Sequence, residues 1–259
     1  FFNDEEFAKL HAAIRIILPI IPALSSSSPI FEGKFTGYKD SRMQVYKTNQ
    51  KEIPQMTGKV IPEQVFTKEA YYEKIFRPIN EAIKPHDTEN ILDHHFLNSR
   101  GAIARFDRNA IEIRVIDLQE CPKADVAIAV LIIETLKWLV SEELISIGDQ
   151  QSWHEDELFE IFNKVVVDAE NTMIDDRNYL NIFDLENPTR AGDIWKKIYH
   201  RVQDGISKKH REAIEIILEK GTLSSRILSA LENDYSTENI NKIYSNLGDC
   251  LSQNKLFIP

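Results

Sequence analysis

Arg105-Phe106-Asp107-Arg108-Asn109-Ala110-Ile111-Glu112-Ile113-Arg114-Val115-Ile116-Asp117-Leu118-Gln119 is the stretch whose reading decides the fold. Its second half alternates: Ile111, Ile113 and Val115 fall on one face of an extended strand, Glu112 and Arg114 on the other. Ala102 to Phe106 is also extended in character, and Asp107-Arg108-Asn109-Ala110 has turn composition, so the spacing predicts a β-hairpin. With an even turn over Asp107–Ala110, Phe106 faces Ile111 and Arg105 sits across from Glu112. Glu-x-Arg on one strand face is either a solvated edge with a cross-strand ion pair or a place that holds a metal and a phosphate.

The 259 residues are 42% hydrophobic, enough for a sizeable core in one large domain or two small ones. A net charge of -10 argues against nucleic acid as a partner. It does not exclude a small anionic substrate held by local arginines. Cys121 and Cys250 form neither a CxxC motif nor a disulfide framework, which points to a reducing cytoplasm. No run reads as membrane-spanning: Val126–Val140 is short and interrupted by Glu134 and Lys137. Phe1-Phe2-Asn3 carries no Met and no signal-peptide pattern, so missing upstream residues are expected.

Around the hairpin the pattern is helical. Glu5 to about Ile21 carries an apolar stripe of Phe7, Leu10, Ile14, Ile17 and Leu18, ended or kinked by Pro19 and Pro22. Ser25–Ser28 has linker composition, but Ile30, Phe31, Phe35 and Tyr38 are too apolar for a free tether. Ser41 to Asn49 suits a helix, and Thr67 suits the N-cap of another running to Phe76. Adjacent His94 and His95 are expected to diverge rather than share a metal. Pro122 starts a long helix to Val140, expected to pack on the apolar hairpin face. From Gly148 onward no strand signal is present. Ser152-Trp153-His154-Glu155 reads as a capping box opening a helix to Asp168, and helices follow near 188–204, 208–220, 224–233 and 238–253 with Gly205 and Gly221 as C-caps. Two units are therefore expected, 1–147 and an all-helical 148–259.

Arg100, Arg105, Arg108 and Arg114 crowd fifteen positions of an acidic chain, a cluster that is costly unless it meets anions. Mg²⁺ is commonly held by one or two carboxylates plus substrate phosphates, and Arg presents a planar fork to phosphate oxygens. Glu112 as metal ligand and Arg114 as phosphoryl contact is the functional reading of the strand face.

Leu10–Arg42, as Leu-His-x-x-Ile-Arg-x-x-Leu-Pro-x-x-Pro-Ala-Leu-Ser-x-x-Ser-Pro-x-x-x-Gly-x-x-Thr-Gly-Tyr-x-x-Ser-Arg, resembles the central motif of glutamate–cysteine ligase family 2, the carboxylate–amine ligases. Asn98–Asp107 followed by Ile111–Glu120 resembles its second motif. The two span roughly 10–140. The resemblance implies an α+β fold, part of a glutamine-synthetase-like antiparallel sheet, and an ATP- and Mg²⁺-dependent ligase. Such an enzyme phosphorylates a carboxylate, that of glutamate being the expected one, to an acyl phosphate that an amine attacks. By motif position Glu112 corresponds to a metal ligand and Arg114 to the arginine at the transferring phosphoryl group. Arg42 joins Arg114 as a catalytic candidate, and Ser27 and Ser28 of the Ser25–Pro29 loop line the same cleft. Arg100 and Arg105 are candidate substrate or nucleotide contacts, Arg105 alternatively being the structural partner of Glu112.

The partners implied are ATP and small amino-acid substrates, with no nucleic acid and no membrane; a homo-oligomer stays open. Ser27 stands where many members have Asn. The family's upstream acidic strand and its histidine-containing glycine motif are absent from these residues, so a C-terminal portion of a longer ligase holding part of the site is expected. A relative that kept the fold and lost catalysis is the alternative, and a guanidino-kinase-like phosphotransferase a weaker one.

Overall fold

The structure, a computed structural model, describes residues 3–259; Phe1 and Phe2 lie outside them. Asn3 caps the first helix, Asp4–Ile17, by accepting from the Glu6 amide at 2.9 Å, with Asp4, Glu5 and Glu6 in the first turn where the helix dipole favours them. Pro19 and Pro22 then do what their missing N–H groups dictate. The α-helix gives way to a 3₁₀ turn, Leu18–Ile20, and a short helix, Pro22–Ser25. This whole segment is buried, so its carbonyls must find partners inside the protein. Tyr179 donates its hydroxyl to the Ile16 carbonyl and Trp195 its indole N–H to that of Ile20, each at 2.7 Å.

Those two donors come from the region read as a separate helical unit. One continuous core contains Ile14, Ile17 and Leu18 together with Leu158, Phe162, Tyr179, Trp195 and Ile214. Packing therefore runs across position 147 without a break. The Pro122–Val140 helix has the expected limits but different neighbours. Its principal partners are the helices Asp4–Ile17, Ala191–Val202 and Lys208–Lys220, not the hairpin. A second core, around Phe7, Tyr71, Phe76 and Ala104, underlies the hairpin, and a third holds the last two helices, Leu223–Leu231 and Thr237–Gln253.

The fold mixes helices with small antiparallel ladders. Three two-stranded ladders occur among the described residues: Ile30–Phe31 with Lys34–Phe35, Ala102–Arg105 with Ala110–Ile113, and Met173–Ile174 with Thr189–Arg190. The last corrects the expectation of a strand-free C-terminal region. Two residues per strand are too few to leave a period-2 signal. The capping box is likewise displaced: His154 caps Glu155–Asp168, and the Glu157 side chain accepts from its backbone N–H at 3.0 Å. Past Thr67 the helix does not stop at Phe76. A π-helical turn over Tyr72–Phe76 carries it past Pro78 to Ile83. No helix of the described residues is long and apolar enough to cross a membrane.

Trp195→Phe should destabilise the chain by about 2 kcal/mol, because a buried carbonyl loses its donor as some apolar contact is lost. Urea unfolding with an unchanged m-value is the expected observation; a loss within experimental error would mean that the Ile20 carbonyl does not depend on the indole.

Candidate functional site

The hairpin forms, with its register two residues away from the expected one. Ala102 pairs with Ile113, Ile103 with Glu112, Ala104 with Ile111 and Arg105 with Ala110. Phe106–Arg108 make a 3₁₀ turn and Asn109 closes it in the left-handed region at φ 51°. The connection is thus Phe106–Asn109 instead of Asp107–Ala110. A shift of two keeps every side chain on its face. Arg105 therefore still reaches Glu112, diagonally, with Nη1 3.5 Å from Oε2. Its stronger bond is to Asp107, a two-pronged pairing at 3.0 and 2.9 Å.

Glu112 is held from both sides. Arg114 donates Nε to Oε1 at 2.9 Å, while Arg105 approaches the other oxygen. Partial burial would push this carboxyl's pKa up, but the Arg114 hydrogen bond and the two positive charges outweigh that and hold it below the usual range. Arg114 is in turn fixed by its backbone. Its N–H donates to the Gly101 carbonyl at 2.8 Å, and Nη1 donates to the Asn98 carbonyl at 3.3 Å. The Gly101 contact requires glycine: a Cβ there would lie 2.7 Å from Val115 and 2.9 Å from Val60. Only a residue without a side chain lets the two chains approach this closely.

Just beyond the hairpin, the buried Asp117 gathers the second group of expected residues. Its Oδ2 accepts from the Ser27 amide at 3.1 Å and the Ser28 hydroxyl at 2.7 Å, and its Oδ1 accepts from Arg42 Nε. Arg42 Nη1 also donates to the Arg114 carbonyl at 3.1 Å. Arg42 and Arg114 are thus joined through one main-chain oxygen, although 72 positions separate them. Arg42, Ser28, Phe31 and Tyr46 help to line a cavity of about 350 Å³.

Arg100 stands apart. It is buried and grips Glu63 with two bonds of 2.6 Å, while Nη1 reaches Asn98 Oδ1 at 3.1 Å. Its guanidinium faces Glu63, and Asn98 links it to the Glu112 face.

Asp117 and Asp40 were not singled out from the sequence, although Asp117 lies inside the second motif. Asp40 is fully buried, caps Ser41–Asn49 through the Met43 amide at 2.8 Å, and leaves Oδ2 without a partner. Burial, reinforced by the negative charge of Asp117, raises its pKa to about 7. The rest of the motif holds the serine loop. Gln119 donates to the Ser25 carbonyl at 2.7 Å. Glu120 forms a buried pair with Arg226 and accepts from the Phe257 amide at 2.9 Å. From the C-terminal side, the Ser224 amide donates to the Ser26 carbonyl at 2.9 Å and its hydroxyl donates to the Lys39 carbonyl.

The model of Glutamate-cysteine ligase family 2 (GCS2) matches residues 2–246. The chain belongs to that family. The match runs well past the two motifs and takes in most of the C-terminal helices, so these helices are part of what the family shares. An uncharacterized protein of Archaeoglobus fulgidus is 30% identical over 258 residues, covering 100% of this chain. The chain spans 63% of that relative's length.

Two outcomes test this geometry. Asp117→Ala should cost about 2–4 kcal/mol in urea unfolding, since it strands the Ser28 hydroxyl and one side of Arg42 in a largely dry setting; a cost below 1 kcal/mol would show that the serine loop is held by other means. Asp40 retains a proton in the folded chain that the unfolded chain has released between about pH 4 and pH 7, so it makes stability fall as pH rises through that window. Asp40→Asn should lose less stability than the parent between pH 5 and pH 8. Equal losses would contradict the raised pKa.

Proposed function

We propose that this chain supplies part of the active site of an ATP- and Mg²⁺-dependent carboxylate–amine ligase on a glutamine-synthetase-like scaffold. The reaction joins a carboxylate, of the glutamate kind, to an amine such as that of cysteine through an acyl phosphate. The observation that carries this reading is Glu112. Its side chain is 42% exposed on the hairpin face, flanked by Arg105 and Arg114. A carboxylate has about four lone-pair sites, and two arginine contacts leave room for a cation. One such group suits Mg²⁺, which keeps waters and takes its other ligands from substrate phosphates. When bound, the ion neutralises phosphate charge.

The roles of the protein groups follow from phosphoryl-transfer chemistry, in which the protein mainly positions reactants and offsets charge. Arg114 presents its fork to the transferring phosphoryl group, and Arg105 is released from Glu112 toward the nucleotide or stays as its partner. Arg42 and the Ser27–Ser28 loop form the neighbouring wall, anchored by Asp117. The opposing reading, a relative that kept the fold without catalysis, draws on the same carboxylate, since both of its oxygens already carry a guanidinium.

Kinetics on the full-length gene product separate the two. Glu112→Gln should abolish Mg²⁺-dependent ADP release from ATP, screened with amino acids singly and in pairs, while leaving the fold intact; turnover within a few-fold of the parent removes the metal role. Arg114→Lys should lower turnover at least 100-fold, because an ammonium cannot replace a two-pronged fork. No ADP release from the parent with any amino acid pair favours the non-catalytic relative.

A further inference from the structure

The turn end of the hairpin faces a second cleft, of about 490 Å³, whose walls include Tyr72, Phe76, Phe106 and Asp107. His94 and His95 stand in the same wall, and they do not diverge as adjacent residues on a regular helix would. Asp93 caps the four-residue helix His94–Leu97 with Oδ1, accepting from the His95 amide at 2.7 Å. The tight turn lays the two imidazoles side by side, with ring centroids 4.4 Å apart and planes inclined by 36°. Both rings rest on Phe76, His94 at 4.3 Å and His95 at 4.9 Å. That contact limits their rotation.

We propose that Asp93, His94 and His95 form a binding site for one divalent ion of the zinc, cobalt or nickel class, separate from the carboxylate face of Glu112. Each residue offers a ligand atom, and the three atoms lie within 4.8 Å of one another. A tetrahedral ion with bonds of about 2.1 Å sets its ligands about 3.4 Å apart, so closure needs shifts of up to about 1.4 Å. Side chains at the protein surface make such shifts by small rotations: Asp93 is 64% exposed and His95 24%.

Asp93 Oδ1 and His95 Nδ1 lie 3.0 Å apart, so both atoms already face one small space, where an ion would take the place of the proton between them. The His94 ring nitrogen Nδ1 lies a long 3.4 Å from the Asn80 amide. Two imidazoles and one carboxylate suit a borderline ion, whereas Mg²⁺ prefers oxygen ligands alone. With three protein ligands, the remaining position of a tetrahedral ion is left for water or a ligand in the cleft.

The test is a calorimetric titration of the chain with zinc chloride in the presence of millimolar Mg²⁺, repeated on His94→Gln/His95→Gln. One equivalent should bind with a micromolar Kd, and the double variant should bind at least tenfold more weakly. His154→Ala should bind as the parent does. No binding by the parent, or a loss of less than tenfold in the double variant, overturns the proposal. The unaltered chain provides an independent readout should the variant unfold. Substoichiometric Ni²⁺ should broaden the ring signals of two of its seven histidines first; broadening that begins elsewhere, at His154 for example, also overturns it.

Discussion

The buried carboxylate of Asp117 is the constraint on which the candidate site depends. Residues at positions 27, 28 and 42 meet on it, and each bond brings part of the serine loop against the strand that leaves the hairpin. A carboxylate this dry must have its oxygens satisfied, and two serines and an arginine satisfy them. The same demand orders the neighbours. Arg42, fixed by Asp117, passes its second nitrogen to the main chain of Arg114 and so ties the loop to the Glu112 face.

The C-terminal helices take part in this arrangement. Ser224 holds the backbone of both Ser26 and Lys39, and Arg226 neutralises Glu120, three positions beyond Asp117 in the motif. Glu170 adds a further link, receiving Lys39, Thr222 and Ser225. A buried pair such as Glu120–Arg226 adds little net stability compared with an apolar pair of the same shape. Breaking it by removing one partner leaves an uncompensated charge, and that ties the helices to their positions. The family match over these helices has a physical counterpart in these bonds.

The two ends of the hairpin have different chemistry. Its open end carries Glu112, Arg114 and, through Asn98, the closed Arg100–Glu63 pair, all charged groups in short contact. Its turn end lies over aromatic rings and two imidazoles. Arg105 belongs to both, with Asp107 on one side and Glu112 on the other.

Much of the local structure was legible in the chain. The helices Ser41–Asn49, Pro122–Val140 and Lys208–Lys220 follow from apolar spacing and end residues, because helix bonds and caps act within four positions. The strand alternation around Glu112 likewise placed Glu112 and Arg114 on one face whatever the register. The register itself depended on how Asn109 turns the chain, which composition does not specify. The hub at Asp117 joins residues 75 to 90 positions apart, and the Trp195 and Tyr179 bonds span 175 and 163. Such pairings leave no periodic trace. They exist because buried carbonyls and carboxylates must be satisfied wherever the packed chain brings a donor, and only the tertiary structure decides which donor that is.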